Sequence, residues 1–130
     1  MRFSVVLDSV DPGAVVDFWR EALGYRLAAE LDTFLVLAPD PAAESGDPAA
    51  GTGPVVILQQ VPEPSAGKNR MHLDLHPADA EAHVARLEGL GARRVGPRVT
   101  ELLEQLGVWW QVMADPQGNE FCVVADPPRR

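Results

Sequence analysis

A chain of 130 residues has the size of one ordinary domain and buries most of the surface its unfolded form exposes, so no second domain is required. Its 11 lysines and arginines against 19 aspartates and glutamates leave a formal charge of 11 − 19 = −8, which works against nucleic acid or an anionic membrane as the main partner. A single cysteine, Cys122, excludes an internal disulfide and agrees with a reducing compartment.

The opening run from Met1 to Asp8 has no long apolar stretch and no small-residue cleavage site. Nowhere do about 18 apolar residues follow one another, so a cytoplasmic chain is expected. Residues 3–10 are rich in Val and Leu, with polar residues only at Ser4, Asp8 and Ser9, which predicts a largely buried strand. Asp11-Pro12 stops it. Asp11 is placed to cap a helix through its side-chain oxygen, and Pro12 suits the first helical position, where a missing N–H costs nothing. Val15, Phe18, Trp19, Ala22 and Leu23 then form one apolar stripe, and Gly24 is a natural left-handed terminator.

Tyr25 to Glu30 and Thr33 to Leu37 read as two strands joined around Leu31-Asp32, and Pro54 to Val61 as a third. Residues 38–54 (APDPAAESGDPAAGTGP) are too poor in large apolar groups to offset the entropy of ordering them, and predict a mobile loop. Two roles fit such a loop: a plain surface insertion, or a flap over a binding pocket.

From Arg70 to His76 polar and apolar residues alternate strictly, the mark of a strand with two dissimilar faces. A second helix follows, with Asp79 as cap, Ala80, Val84, Leu87 and Leu90 as apolar stripe, and Gly91 as terminator. Strands return at Ala92 to Val95, Val108 to Ala114 and Phe121 to Ala125. Residues 99–106 (VTELLEQL) add a short helical turn capped by Thr100. The two halves repeat: the caps Asp11 and Asp79 lie 79 − 11 = 68 residues apart and the closing glycines Gly24 and Gly91 lie 91 − 24 = 67 apart, so each half reads as strand, helix, three strands. Neither half can cover both faces of its sheet alone, and pairing the halves is the physical solution.

Three stretches carry a family resemblance. They are the opening strand into Asp-Pro and a helix with Phe18-Trp19 ending Leu23-Gly24; Lys68-Asn69-Arg70-Met71-His72-Leu73-Asp74-Leu75; and the turn Asp115-Pro116-Gln117-Gly118-Asn119 leading into Glu120-Phe121-Cys122-Val123. Through them almost the whole chain resembles the vicinal-oxygen-chelate superfamily of glyoxalases, bleomycin-resistance proteins and extradiol dioxygenases, in its glyoxalase-like branch. The resemblance implies an α+β fold of two βαβββ modules, about 1–62 and 68–127 of one domain spanning 1–130. Their strands form a curled mixed sheet around a cavity, with the helices outside. It also implies a homodimer and a small-molecule ligand.

In metal-dependent members four inward positions hold His or Glu ligands. The resemblance implies that these are Ser4, Gln60, His72 and Cys122 here. A serine hydroxyl and a glutamine amide carry no charge and bind divalent ions weakly, so no metal or other cofactor is expected. A reduced site of His72, Asp74 and Cys122 is the remaining way to hold an ion.

If His72 faces inward, Arg70, Asp74 and His76 share its face. Such a row is either a salt-bridge ladder or a ligand-binding wall, in which Arg70 attracts a carboxylate or enolate and His72 exchanges a proton. Lys68 stands at the entrance, either solvated or drawing in an anion. Trp109 and Trp110 are adjacent on a strand and must point to opposite faces, one to the core and one to the cavity, where a ring offers a stacking surface. Cys122, among Phe121, Val123 and Val124, is expected to stay protonated and inert as a nucleophile. The ligand-binding set is therefore Ser4, Gln60, Arg70, His72, Asp74, Trp109, Trp110 and Cys122. The expected function is small-molecule binding without the family metal. The alternative is a lyase, isomerase or dioxygenase-type enzyme using His72 with Asp74 as an acid–base pair or a remnant metal site.

Overall fold

The structure is a computed structural model that describes residues 2–42, 51–67, 69 and 71–127. The chain divides into two compact units, Met1–Ala66 and Gly67–Arg130.

In the first unit β1 (Ser4–Ser9) leads into α1 (Pro12–Leu23), followed by β2 (Tyr25–Glu30), β3 (Phe34–Pro39) and β4 (Val55–Gln60). The sheet order is β1-β4-β3-β2, with β1 parallel to β4 and the other pairs antiparallel. The second unit repeats the plan: β5 (Asp74–Leu75), α2 (Ala80–Gly89), β6 (Arg93–Arg94), an added turn α3 (Leu103–Leu106), β7 (Trp109–Ala114) and β8 (Glu120–Ala125). Its order, β5-β8-β7-β6, is the same permutation. This is the expected α+β architecture of two similar βαβββ modules. Each sheet is open, with edge strands, rather than closed on itself.

The apolar stripe of α1 does what its spacing requires. Val15 and Trp19 are buried, Phe18 and Ala22 nearly so, and the helix packs on β2, β3 and β4 over Leu37, Val56 and Leu58. Phe18 and Trp19 meet edge to face at 5.2 Å, a favoured aromatic geometry. Gly24 closes the helix at φ 67° and its N–H returns to the Arg20 carbonyl, a backbone that only glycine adopts without strain. In the second unit Val84 and Leu87 of α2 pack on β8, and Met113, Phe121 and Val123 are buried on the helix side of that sheet.

Several expected details differ. Asp11 makes no side-chain cap bond; its carbonyl accepts from Ala14 N at 3.0 Å, while the Ser9 hydroxyl oxygen accepts from Asp11 N at 3.1 Å. Asp11 stands at φ −146° and ψ 87°, and the Ser9 hydroxyl holds its N–H just ahead of the helix, a local side-chain-to-backbone bond that leaves the first-turn amides uncapped by Asp11. Asp79 does cap α2, accepting from Ala82 N at 3.0 Å. Thr100 contributes its carbonyl, not its hydroxyl, to the turn before α3. Among the described residues of the strand expected over 70–76, only Asp74–Leu75 form a strand, paired with Cys122 and Val123 of β8. Of the loop expected over 38–54, residues 43–50 lie outside the described residues. Among the described residues, no helix is long and apolar enough to cross a membrane.

Tyr25 anchors the far side of that loop: its hydroxyl donates to the Pro54 carbonyl at 2.8 Å. Burial raises its pKa above the ordinary 10.0, since the charged phenolate is disfavoured where water is scarce. Tyr25 is the one tyrosine in the chain, so tyrosinate absorbance reads it alone. Its ionisation is expected above pH 10 in the folded protein. The unfolded chain ionises first, so this contribution to stability is complete below the unfolded pKa and is lost as pH rises through the folded one. An absorbance titration with a midpoint at the free-tyrosine value would contradict this.

Candidate functional site

The register of the second sheet decides which side chains share a face. Asp74 stands opposite Cys122, and Cys122 opposite Val112; Val124 stands opposite Trp110 and Glu120 opposite Ala114. Side chains alternate along each strand, so His72, Asp74, Cys122, Val124 and Trp110 lie on the face away from α2. Trp109, Gln111, Met113, Phe121 and Val123 lie on the helix face.

Three of these groups converge. The donor atoms of His72, Asp74 and Cys122 all lie within 4.8 Å of one another. His72 Nε2 and Asp74 Oδ1 are 3.2 Å apart, their side chains 42% and 51% exposed, while Cys122 is buried beneath them. The cause is local: parallel strands run about 4.8 Å apart, Cys122 N donates to the Leu73 carbonyl at 2.9 Å, and His72 precedes Asp74 by two residues on one strand. A half-exposed pair of this kind contributes about 1 kcal/mol or less to stability, so it is no structural staple. Farther along the same face, His76 Nδ1 meets Asp126 Oδ2 at 2.9 Å.

The two tryptophans separate as adjacent strand residues must. Trp109 is covered by Arg98, whose Cζ lies 3.6 Å from the ring centroid, and Arg98 reaches Glu81 in the first turn of α2 at 2.8 Å. That stack occupies Trp109 structurally. Trp110 is on the open face, its backbone bridged to Val99. Behind it Gln111, 2% exposed, donates to the Gly96 and Val112 carbonyls, both at 3.0 Å, and holds the segment before α3 against β7.

The remaining expected site residues are not part of this cluster. Ser4 stands opposite Val55 and Gln60 opposite Ser9. They are thus 9 − 4 = 5 residues apart along the ladder, about 16 Å at the rise of a parallel strand. Gln60 also shares the parity of the buried Val56 and Leu58, which places it at the end of the helix face. Gln59, opposite Asp8 and Phe34, is the amide on the open side. The inward assignment of Gln60 is thus displaced by one residue, since the run Val55 to Leu58 has no polar alternation from which parity could be counted. Asp126, the partner of His76, was equally silent in the sequence. Lys68 and Arg70 lie outside the described residues.

Residues 4–124 match the family model of the glyoxalase-like domain. The chain belongs to that family. Solved structures with the same glyoxalase-like fold include the genomically encoded fosfomycin resistance protein FosX from Listeria monocytogenes. It has a TM-score of 0.71 at 11% identity, covering 96% of this chain and 92% of that one. A glyoxalase/bleomycin resistance protein/dioxygenase from Nocardioides gives 0.67 at 16% identity over 100% of this chain and 85% of its own. A glyoxalase/bleomycin resistance protein/dioxygenase family enzyme from Burkholderia phytofirmans PsJN gives 0.68 at 14% identity over 94% and 95%. No curated protein matches the chain.

The divalent ion that glyoxalase-like relationship implies does not fit the positions it implies. Ser4 brings a neutral hydroxyl, Gln60 points off the open face, and Cys122 brings sulfur where a hard ion takes oxygen or nitrogen. Only His72 matches that chemistry.

Proposed function

We propose that this glyoxalase-like chain captures a small molecule, flat and partly anionic, on the open face of its second sheet, without the four-donor cation of metal-dependent relatives. The observation that carries the reading is the sharing of one face by Trp110 and the His72–Asp74 pair, while Trp109 is held on the other face by Arg98. A ring offers a stacking plane, and the pair offers a donor and an acceptor that orient a ligand. The pair is half-exposed and holds little of the fold's stability, which leaves it able to engage a guest.

Intrinsic fluorescence titration against a panel of aromatic acids and natural products tests this. At least one compound is expected to quench tryptophan emission saturably. Trp110→Ala is expected to lower its affinity about tenfold, the loss of one good aromatic contact, and Trp109→Phe to leave the affinity unchanged. If nothing in the panel binds, or if binding depends on Trp109 and not on Trp110, the reading fails.

The 3.2 Å approach of His72 Nε2 to Asp74 Oδ1 favours a second reading. A carboxylate that orients an imidazole produces a general acid–base group, as a lyase, isomerase or dioxygenase-type enzyme requires. Turnover of a bound compound, with kcat lowered about 10²–10⁴-fold in His72→Ala, replaces simple capture with catalysis. Unchanged turnover in that variant removes the enzyme reading.

A further inference from the structure

Besides Trp110 and the His72–Asp74 pair, the open face of the second sheet carries His76. Asp74 pairs with Cys122 and Leu75 with Val123, so one further step along the same register sets His76 beside Val124, and the antiparallel ladder sets Val124 opposite Trp110. His76, Val124 and Trp110 thus make one row across the sheet, an imidazole and an indole on either side of a valine that is 7% exposed. We infer that the guest is a planar ring bearing a hydroxyl or N–H, held in this row between Trp110 and His76, with Asp126 fixing the imidazole so that its Nε2 accepts from the guest. This assignment rests on the capture reading and gives the class of molecule that the site takes.

The spacing suits one layer of guest. Neighbouring strands lie about 4.8 Å apart, so the backbones of His76 and Trp110, two strands from each other, stand about 9.6 Å apart. A ring stacked at about 3.5–4.0 Å from each wall needs about 7–8 Å between the two ring planes, which both side chains reach with a small inward lean. Val124 is the apolar floor between them. The imidazole is half-exposed, so a guest reaches it without opening the sheet.

Asp126 sets what the imidazole does. Its Oδ2 lies 2.9 Å from His76 Nδ1. A carboxylate oxygen accepts only, so Nδ1 carries the hydrogen, and in the neutral ring Nε2 is left as an acceptor. Nε2 stands on the other side of the ring from Asp126, and among the described residues it meets no partner. A guest that reaches it must bring a hydrogen, as a phenolic hydroxyl or a ring N–H does; an ether at that place leaves the nitrogen unsatisfied. The backbone prepares the pair as well. His76 precedes Pro77 and Asp126 precedes Pro127, and a residue before proline is held extended. Pro127 is in turn seated against Gly107, where an added Cβ would come to 3.3 Å from Pro127 Cβ.

Two probes differ in that one hydrogen: para-hydroxycinnamate and para-methoxycinnamate share the flat conjugated frame and the carboxylate. Calorimetric titration is run at about pH 8, above the ordinary imidazole range. The hydroxy acid is expected to bind about tenfold more tightly than its ether, the worth of one hydrogen bond. His76→Phe keeps a ring as wall and removes Nε2, and is expected to bring the two affinities within about twofold of each other. Asp126→Ala frees the ring to turn and to change tautomer, and is expected to shrink the ratio below about threefold with far-ultraviolet circular dichroism unchanged. In long-range proton–nitrogen correlation spectra of isotope-labelled protein, the His76 ring, assigned by its absence from His76→Phe, is expected as the Nδ1–H tautomer. The inference is overturned by a wild-type ratio below about threefold, by a ratio that survives His76→Phe or Asp126→Ala, or by an Nε2–H tautomer. Binding of neither cinnamate overturns it too. Capture itself is judged by the aromatic panel and Trp110→Ala: if both cinnamates bind equally and both need Trp110, capture stands and only the guest class falls.

Discussion

Asp115→Ala is expected to destabilise the protein by about 3–5 kcal/mol, the sum of two to three buried hydrogen-bonding groups left without a partner. Asp115 is 2% exposed. Its Oδ1 accepts from Gln117 N and Asn119 N, both at 2.9 Å, and its Oδ2 accepts from Asn119 Nδ2 at 3.0 Å. Asn119 is itself buried, so water cannot replace what alanine removes. The backbone closes the same turn, with Asp115 N on the Asn119 carbonyl at 2.8 Å and Gly118 N on the Asp115 carbonyl at 2.9 Å. Gly118 turns the chain at φ 86°, where an L side chain is strained. Asp115→Asn keeps one acceptor oxygen and is expected to lose about half as much. Urea unfolding of the two variants measures both values. A loss below about 1 kcal/mol for alanine would mean that the backbone alone holds the turn. The consequence reaches the site, because this turn sets the register of β8 and so places Cys122 opposite Asp74.

Trp19→Ala is expected to cost about 3–5 kcal/mol, the usual range for emptying a buried aromatic site. Trp19 is 1% exposed, and its neighbours Val15, Leu37 and Leu58 are fully buried. Removing it also leaves Phe18 without its edge-to-face partner at 5.2 Å. Small residues in reach cannot flow into the space, since the sheet behind it is held by three ladders. Denaturant titration of the variant measures the loss, and a loss below about 1 kcal/mol would mean that neighbouring side chains close the space left by the indole.

Much of the architecture was legible because it rests on local chemistry. Pro12 at a helix start, Gly24 at φ 67° at its end and the stripe from Val15 to Ala22 each constrain their own neighbourhood. The repeat of that plan after 67 to 68 residues carried the two-module reading. The lone histidine strand also announced its polar face, since Arg70, His72, Asp74 and His76 alternate with apolar residues. Gln60 was misplaced where such alternation stopped: Val55 to Leu58 are apolar on both faces, and only the ladder to β1 shows that Gln59 is the outward amide.

By itself, then, the chain's order of residues determined two βαβββ modules, their helices and turns, and a carboxylate and an imidazole two residues apart on one strand face. What only the tertiary structure decided is who meets them. Cys122 comes beneath His72 and Asp74 through a parallel pairing across 122 − 74 = 48 residues, and the register of β7 turns Trp109 to the helix face, where Arg98, held by Glu81, covers it. Periodicity reports which face a side chain takes on its own strand; the partner opposite it is set by non-local hydrogen bonding, which leaves no local trace.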